Sequence, residues 1–169
     1  MRLFTALWPP AEAVAALTAE LTAEPAAGWR LADASTWHIT LAFHGEAQMG
    51  PQARRLEAAA YGAAAPRLRL RGAGAFTGVR WAGVEAEPVA ALTALVDLAG
   101  GTSAEFVAHV TLLRRRIRPG PHVESDPPMP WADHVGPWWR PVEVLLVASE
   151  PARGGVRYRP VHRVPLAPY

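Results

Sequence analysis

Two histidine–threonine pairs in the sequence have the residue types of a phosphoryl-transfer site. His38 stands two positions before Thr40, and His109 stands two positions before Thr111. In an extended strand, side chains two positions apart point to the same face, so each strand presents an imidazole beside a hydroxyl. Two such strands facing each other would surround a small anion with two proton-transfer groups and two hydrogen-bond donors. This layout suits metal-free phosphoryl transfer.

The second occurrence of the pair argues against coincidence. With 6 histidines and 9 threonines among 169 residues, chance places a threonine two positions after a histidine roughly 0.3 times. Each pair also has a β-branched residue in the middle, Ile39 or Val110, and a leucine behind it, as a strand with one buried face requires. A single such tetrapeptide would indicate a structural strand histidine, whereas two copies indicate a shared site.

Length and composition indicate one globular domain over residues 1–169. Half of the residues are hydrophobic and 19% are charged, which is enough apolar material for a packed core shared by two lobes. The apolar runs are short and interrupted, so no membrane span is expected. The opening residues lack the pattern of a signal peptide, so we expect a cytoplasmic protein. The absence of cysteine excludes thiol nucleophiles and thiolate metal ligands.

All 17 basic residues are arginine, which removes lysine chemistry. No Schiff base or adenylated lysine can form, so ligases that use such an intermediate are excluded. The net charge of +2 is too small for a nonspecific polyanion binder, but residues 67–169 carry +4 against −2 in residues 1–66. A phosphate-bearing ligand would therefore be drawn to the second half. No cofactor is implied, and a metal site is disfavoured because threonine is a poor ligand and neither motif has a carboxylate spaced beside it.

A strand, a helix and a motif strand follow one another twice along the chain. The first copy comprises a strand over Arg2–Trp8, a helix from Ala11 to about Glu24, an extended piece over Gly28–Ala34 and a motif strand that ends at Gly45. The second copy comprises a strand over Val79–Glu85, a helix from Pro88 to about Leu98 and a motif strand over Phe106–Leu113. A local two-fold relating the copies would place His38 opposite His109.

The repetition predicts two copies of one strand-helix-strand unit that are related by a local two-fold and share a core. The motif strands lie near residues 37–43 and 106–113. The remaining predicted elements are a helix over Gln48 to about Ala64, a strand over Arg67–Arg71, a loop over Gly72–Phe76, and a hairpin of Val142–Ala148 and Val156–Leu166. The segment Pro119–Pro141 is rich in proline and tryptophan, which predicts a long surface loop and a candidate lid over the site.

Several arginines are candidates for phosphate binding. The alternating Arg67, Arg69 and Arg71 are more typical of a solvated sheet face than of an RNA-binding row. After the second motif, strict alternation sets Arg115 on the His109 face and Arg114 behind it. At least one arginine of the group that follows the motif should reach a bound phosphate; the group is Arg114, Arg115, Arg116 and Arg118.

The remaining aromatic residues and histidines have weaker signals. Trp138 and Trp139 are candidates for stacking on a nucleobase, since aromatic rings often recognise single-stranded RNA. Trp37 is expected in the core, because it lies on the other face of the motif strand. The histidines without a spacing signal are expected at the surface, and they are His122, His134 and His162.

The chain resembles the two-histidine (2H) phosphoesterases, and within them it is most similar to the bacterial RNA 2',3'-cyclic phosphodiesterases, also named 2'-5' RNA ligases (LigT-like). The resemblance covers nearly the whole chain, and the paired His-x-Thr motifs are its specific part. The stretches that carry it are Arg2-Leu3-Phe4, the block from His38 to Phe43 with Gly45-Glu46, the Phe76 and Trp81 region, the block Phe106–Arg114 and the hairpin from Ser149 to Tyr158.

The resemblance implies an α+β fold that is bilobal, with pseudo-two-fold duplicated strand-helix-strand lobes whose antiparallel sheets face a central cleft. It also implies metal-free hydrolysis of a ribose 2',3'-cyclic phosphate to a 2'-phosphomonoester. It implies that His38 is the proton donor to the departing O3' and that His109 is the proton acceptor from water. It also implies that Thr40, Thr111 and Arg114 bind the phosphate. The expected partners are RNA ends or nucleotides bearing a 2',3'-cyclic phosphate, with no obligate protein partner.

Two departures from the family pattern and two alternative functions stand beside this interpretation. His44 occupies a usually apolar position, and Ala108 replaces the usual proline before the second histidine. A third histidine near the cleft would alter the pH dependence. One alternative is a noncatalytic module that holds RNA ends through the same residues, and the other is a 2'-5' phosphodiesterase or ligase that acts on other nucleotides.

Overall fold

A computed structural model describes residues 1–116 and 126–168, and these residues form an α+β fold. They contain three α-helices and eight strands arranged in two antiparallel sheets. The elements are β1 (Arg2–Leu7), α1 (Ala11–Thr18), β2 (Trp29–Leu31), a 3₁₀ turn (Ala34–Thr36), β3 (Ile39–Glu46), α2 (Met49–Ala60), β4 (Arg67–Phe76), β5 (Val79–Glu87), α3 (Val89–Leu98), β6 (His109–Arg115), β7 (Glu143–Ala152) and β8 (Gly155–Pro165).

The two sheets have matching strand arrangements around the two motif strands. Sheet 1 has the order β3-β1-β7-β8, and sheet 2 has the order β2-β6-β5-β4. In each sheet the motif strand pairs antiparallel with the strand that precedes a helix, since β3 pairs with β1 and β6 pairs with β5. The predicted α+β class with antiparallel sheets is therefore confirmed. The predicted hairpin is also confirmed, as β7 pairs antiparallel with β8 along its whole length.

Two helices end earlier than their sequence pattern predicts. The first helix ends at Thr18 rather than near Glu24, because Glu20 and Leu21 donate backbone hydrogen bonds three residues back and tighten the chain into a turn. The second ends at Ala60 rather than near Ala64. There the chain reverses at Gly62, whose φ of 70° is in the left-handed region that glycine adopts without steric cost.

The fourth strand extends through residues that the sequence pattern assigned to a loop. Instead of ending near Arg71, β4 continues to Phe76 and pairs with β5. The pairing shifts between Leu70 and Ala73, where Gly72 has a φ of 75° and absorbs the irregularity of the bulge. The loop prediction over Gly72–Phe76 was therefore wrong, because a glycine-containing bulge does not end the strand.

The predicted long loop over Pro119–Pro141 lies partly outside the described residues, which omit 117–125. Its described part runs along β4, with isolated bridges from Val135 to Arg71 and from Trp139 to Leu68. Trp131 is only 1% exposed and anchors this part in the core, whereas Val135 is 55% exposed, so the described part is a surface segment with buried anchors. None of the described residues 126–141 lines the cleft between the sheets, so this part forms no lid. No helix among the described residues is long and apolar enough to cross a membrane.

Candidate active site

The motif strands bring their paired polar residues to one cleft between the two sheets. The cleft has a volume of about 730 Å³, and His38, Thr40, His109, Thr111 and Arg114 all line it. The intervening residues of both motifs point the other way, since Ile39 and Val110 are fully buried in the core. Alternation along each strand thus separates a polar face from an apolar face, as the spacing predicts.

A β-bulge changes the phase of alternation in the second motif strand. Thr111 pairs with Trp81 and Leu113 pairs with Arg80, so Leu112 is an extra residue between the two pairs. Both Leu112 and Leu113 are buried, and Arg114 returns to the face of His109 and Thr111. The expectation from strict alternation, that Arg115 shares this face, was therefore wrong.

The first motif strand has a bulge at the equivalent position. Thr40 pairs with Ala6 and Ala42 pairs with Thr5, which leaves Leu41 as the extra residue. Phe43 then occupies the place that Arg114 has in the second strand, and it lines the cleft with 80% of its surface exposed. Sequence reasoning did not single out Phe43 as a site residue. The available signal was its position five residues after His38, the same interval that separates Arg114 from His109.

Both histidines are held by the same backbone contact. The Nδ1 of His38 lies 2.7 Å from the carbonyl oxygen of Thr36, and the Nδ1 of His109 lies 2.7 Å from that of Val107. Because a carbonyl can only accept, each Nδ1 carries the proton and donates it. The Nε2 atom of each ring is therefore the nitrogen left for proton exchange with a ligand.

Aromatic rings enclose His38 and lower its basicity. Its ring stacks on Trp8 at 5.0 Å between centroids and also contacts Phe4 and Tyr158. The pKa of His38 is lowered to about 4, chiefly by burial and also by the charges of Arg114 and His109, while the hydrogen bond to Thr36 opposes the shift. His38 is therefore neutral in the empty cleft at pH 7.

His109 is supported by rings from sheet 2. Phe76 meets it edge-on at 5.0 Å, and Trp81 lies 5.7 Å away. The Trp81 ring in turn packs over Gly74, its cross-strand partner in β4. A Cβ at Gly74 would lie 2.1 Å from the Trp81 ring, so glycine is required there for this packing.

The cleft is lined by cationic and neutral groups. Arg2 and Arg30 join Arg114 along its walls, and none of the described residues that line it is an aspartate or a glutamate. The described residues also contain no group of three or more histidine and carboxylate side chains placed to hold a metal ion. Such a surface attracts an anion, and its hydroxyl and guanidinium donors match phosphate oxygens.

Several residues considered from the sequence lie elsewhere. His44 does not line the cleft; its Nε2 lies 2.8 Å from the hydroxyl of Thr5, which is fully buried. Trp138 is covered by Arg67 and Arg69, each 4.3 Å from its ring centre, and Trp37 is in the core as expected. Neither Trp138 nor Trp139 lines the cleft, so the structure does not support their stacking on a base there.

The alternating arginines form ion pairs with acidic residues on the next strand. Arg67 pairs with Glu87, and Arg69 and Arg71 both pair with Glu85. This supports the interpretation of a solvated sheet face.

Two of the three remaining histidines are not simple surface residues. His134 is only 6% exposed, so its placement at the surface was wrong; it packs near Glu20 at 3.1 Å. His162 is half-buried and lies 2.7 Å from a carboxylate oxygen of Glu57. His122 lies outside the described residues.

Comparisons with known proteins point to one family. The family described as LigT like Phosphoesterase matches residues 7–84. TT0787 of Thermus thermophilus is 30% identical, with 99% of this chain and 98% of that chain covered and a TM-score of 0.73. E. coli LigT complexed with phosphate is 30% identical with the same coverage and a TM-score of 0.72. E. coli LigT complexed with 3'-AMP is also 30% identical, with 99% and 98% covered and a TM-score of 0.73. No curated protein matches the chain.

Proposed function

The chain belongs to the LigT-like family of two-histidine phosphoesterases, and we propose that it hydrolyses 2',3'-cyclic phosphates of RNA ends or nucleotides to 2'-phosphomonoesters without a metal. Phosphodiesterase activity in general follows from the family. The finer assignment is supported chiefly by the two imidazoles, each anchored through Nδ1 and each free at Nε2, in one cationic cleft.

The proposed reaction uses one histidine on each side of the phosphorus atom. The Nε2 of His109 accepts a proton from a water molecule as the water oxygen bonds to phosphorus. The bond from phosphorus to O3' breaks, and the Nε2 of His38 donates a proton to O3'. The product carries the phosphate on O2', and proton exchange with solvent returns both rings to their starting states.

Three further side chains are proposed to hold the reacting phosphate. The hydroxyls of Thr40 and Thr111 stand beside the two histidines, and the guanidinium of Arg114 lies on the same face. They would donate to the non-bridging oxygens, where negative charge is concentrated in the transition state. The absence of carboxylates among the described lining residues supports an anionic substrate.

Because the pKa of His38 is low, we propose that its ring becomes protonated at Nε2 only when the substrate is bound. In the empty cleft burial, and to a smaller extent the positive charge of Arg114, disfavour the protonated ring. A bound phosphate anion offsets the charge of Arg114 and accepts a hydrogen bond from the protonated Nε2. We therefore propose that substrate binding raises the pKa of His38 and prepares it to act as the acid.

An exposed aromatic ring beside the phosphate position supports a nucleotide as the substrate. Phe43 presents its ring to the cleft, and a nucleobase stacks on such a ring whatever its sequence. Structures of E. coli LigT complexed with 3'-AMP, with ATP and with NADP+ have the same fold. These relatives support a nucleotide ligand in the cleft of this chain.

The test is incubation with a nucleoside 2',3'-cyclic monophosphate and separation of the 2' and 3' products, with and without a chelator. We expect only the 2'-phosphate, at the same rate in both conditions. Production of the 3'-phosphate, or loss of activity with the chelator, would contradict the proposal. Tight binding without any product would favour the noncatalytic RNA-end module, and cleavage of 2'-5' linkages alone would favour the other alternative.

A further inference from the structure

A smaller pocket opens beside the cleft, on the side of Arg114. It has a volume of about 260 Å³ and is lined by residues of β2, of the 3₁₀ turn and of the β7–β8 turn, among them Arg30, Thr36, Gly154 and Tyr158. Neither histidine and neither motif threonine lines it, whereas Arg30 and Arg114 line both spaces. These two arginines therefore lie at the junction between the cleft and the side pocket.

Arg30 and Arg114 are direct partners across two paired strands. Arg30 in β2 stands opposite Arg114 in β6, so their side chains leave the sheet on the same face. Two like charges directly opposite one another destabilise a sheet unless an opposite charge lies between them. A pair of this kind is most easily explained by an anion that binds there.

Among residues 1–116 and 126–168, no carboxylate forms an ion pair with either of these two arginines. Arginines elsewhere in the described residues do pair with carboxylates, for example Arg67 with Glu87 and Arg159 with Glu150. Arg30 makes one long hydrogen bond, 3.4 Å from its Nη1 to the carbonyl oxygen of Gly154. Asp33 also lines the pocket, where the Oδ1 atom of its carboxylate accepts from the backbone and the hydroxyl of Ser35, at 2.9 and 2.6 Å, and it forms no ion pair with Arg30 or Arg114 in the described residues.

The two arginines lie at different distances from the proposed position of the reacting phosphate. Arg114 shares the cleft face with His109 and Thr111, so its guanidinium is within the space of the reacting phosphate. Arg30 lies one strand farther out, on the edge of sheet 2. A ligand that satisfies both guanidinium groups therefore carries a second anionic group, displaced from the reacting one toward the β7–β8 turn.

We propose that the side pocket binds a second phosphate of the substrate, the one on the 5' side of the terminal ribose, through Arg30. This proposal rests on the proposed function and names its substrate class: an oligonucleotide end with a charged phosphodiester next to the terminal nucleotide. A mononucleotide with a 5'-phosphate offers the same group. The open side pocket favours the oligonucleotide, since the chain can continue past it into solvent.

The experiment compares four substrates with a terminal 2',3'-cyclic phosphate. They are a nucleoside, a 5'-phosphorylated nucleoside, a dinucleotide, and a dinucleotide whose internal linkage is an uncharged methylphosphonate. We expect KM to be about tenfold lower for the two substrates with a charged 5' group, with little change in kcat. A methylphosphonate dinucleotide that binds as well as the natural one would overturn the proposal, because the gain would then not come from charge.

Variants of Arg30 test the assignment directly. Arg30→Gln should remove the tenfold KM advantage of the charged substrates over the nucleoside 2',3'-cyclic phosphate, so that it weakens the charged substrates selectively, while Arg30→Lys should keep part of the advantage. Arg54→Gln removes the same charge from the exposed face of α2 and serves as the control, with no selective effect expected. Equal losses for all four substrates in Arg30→Gln would contradict the proposal, as would selective loss in Arg54→Gln.

A binding measurement separates failure of this proposal from failure of the proposed function. Calorimetry with a nucleoside 2'-phosphate and with a dinucleotide 2'-phosphate requires no turnover. If no cyclic substrate is hydrolysed but the dinucleotide binds about tenfold tighter and loses that gain in Arg30→Gln, the pocket stands and the reaction is wrong. If hydrolysis occurs and the two products bind equally, the reaction stands and the pocket is wrong. The KM of the 5'-phosphorylated nucleoside, compared with that of the dinucleotide, then shows whether the pocket prefers the 5'-phosphate of a mononucleotide or the phosphodiester of an oligonucleotide.

Discussion

Leu41 and Leu112 occupy the same place in the two motif strands, each as the extra residue of a β-bulge three positions after the motif histidine. Both leucines are buried in the common core. Each bulge returns the residue two positions later to the cleft face, and these residues are Phe43 in β3 and Arg114 in β6. The duplicated geometry therefore gives an asymmetric site, with an aromatic ring on one side and a guanidinium on the other.

The bulge in β6 makes a prediction about two adjacent arginines. Arg114→Gln should lower kcat/KM for a 2',3'-cyclic phosphate about 10²-fold, because a donor to the charged phosphate oxygens is lost. Arg115→Gln removes the same charge one residue farther along and should change kcat/KM less than twofold. Steady-state kinetics of both variants check this. A larger loss of kcat/KM in Arg115→Gln than in Arg114→Gln would mean that Arg115 faces the cleft, as strict alternation without a bulge would require.

Local patterns in the sequence were enough to predict the elements that carry the paired motifs. His38 and Thr40 are spaced as one strand face requires, and so are His109 and Thr111, because alternation is a property of the extended chain itself. The repeated strand-helix-strand order predicted that two such faces exist. The local two-fold expected from that repetition predicted that His38 and His109 stand opposite one another, and both line one cleft.

The features that the sequence did not predict depend on tertiary contacts. The extra residue in a bulge is fixed by the pairing of β6 with β5, so the face of Arg114 could not be read from β6 alone. Burial of His134 and Trp131 depends on the path of residues 126–141 along β4, which has no sequence period. The side pocket joins Arg30 to a turn more than 120 residues away, and no local pattern relates the two.

The proposed roles of the two histidines differ in their dependence on the leaving group. A 3'-deoxynucleoside 2'-(p-nitrophenyl phosphate) releases p-nitrophenolate, which leaves without a proton. His38→Gln should therefore lose 10² to 10⁴-fold, roughly the general-acid contribution, on the cyclic phosphate and little on the nitrophenyl ester. His109→Gln should lose comparable activity on both substrates, since water must be deprotonated in each case.

A third histidine provides the control for these substitutions. His44→Gln makes the same histidine-to-glutamine change in β3, at a residue that does not line the cleft. Hydrolysis of the cyclic phosphate and of the nitrophenyl ester should therefore both remain near the wild-type rates. If His38→Gln lost both activities and His109→Gln lost only hydrolysis of the cyclic phosphate, the acid and base roles would be exchanged.

The pH dependence of activity should differ between the free and bound enzyme. With the pKa of His38 near 4 in the empty cleft, we expect one limb of the kcat/KM profile near pH 4. A bound phosphate anion favours the protonated ring, so the corresponding limb of the kcat profile should lie at higher pH. Rates measured from pH 3.5 to 9 give the position of the His38 limb in the kcat/KM profile and in the kcat profile. Identical positions in the two profiles would contradict coupling between the substrate charge and His38.

The same group makes stability depend on pH. Its pKa is 6.5 when the chain is unfolded and about 4 when folded, so the unfolded state binds more protons between these values. The stability associated with neutral His38 is full above pH 6.5 and is lost as the pH falls toward 4, by up to about 3 kcal/mol. Urea unfolding at several pH values should show this loss in wild type and not in His38→Gln. If the free energy of unfolding depended on pH equally in wild type and in His38→Gln, His38 would not be the source of the loss.

Gly74 tests whether the ring behind His109 positions it. Gly74→Ala places a methyl group where the Trp81 ring lies, so the ring must shift, and we expect about 1–3 kcal/mol of destabilisation. Since Trp81 supports His109, kcat should fall several-fold while KM changes little. Gly50→Ala in α2 is the control, because the nearest atoms there belong to the flexible Arg54 side chain. Combining Gly74→Ala with Trp81→Phe should recover part of both losses, because the smaller ring leaves room for the methyl group. A Gly74→Ala protein that is destabilised but has wild-type kcat would show that Trp81 stabilises the sheet without orienting His109.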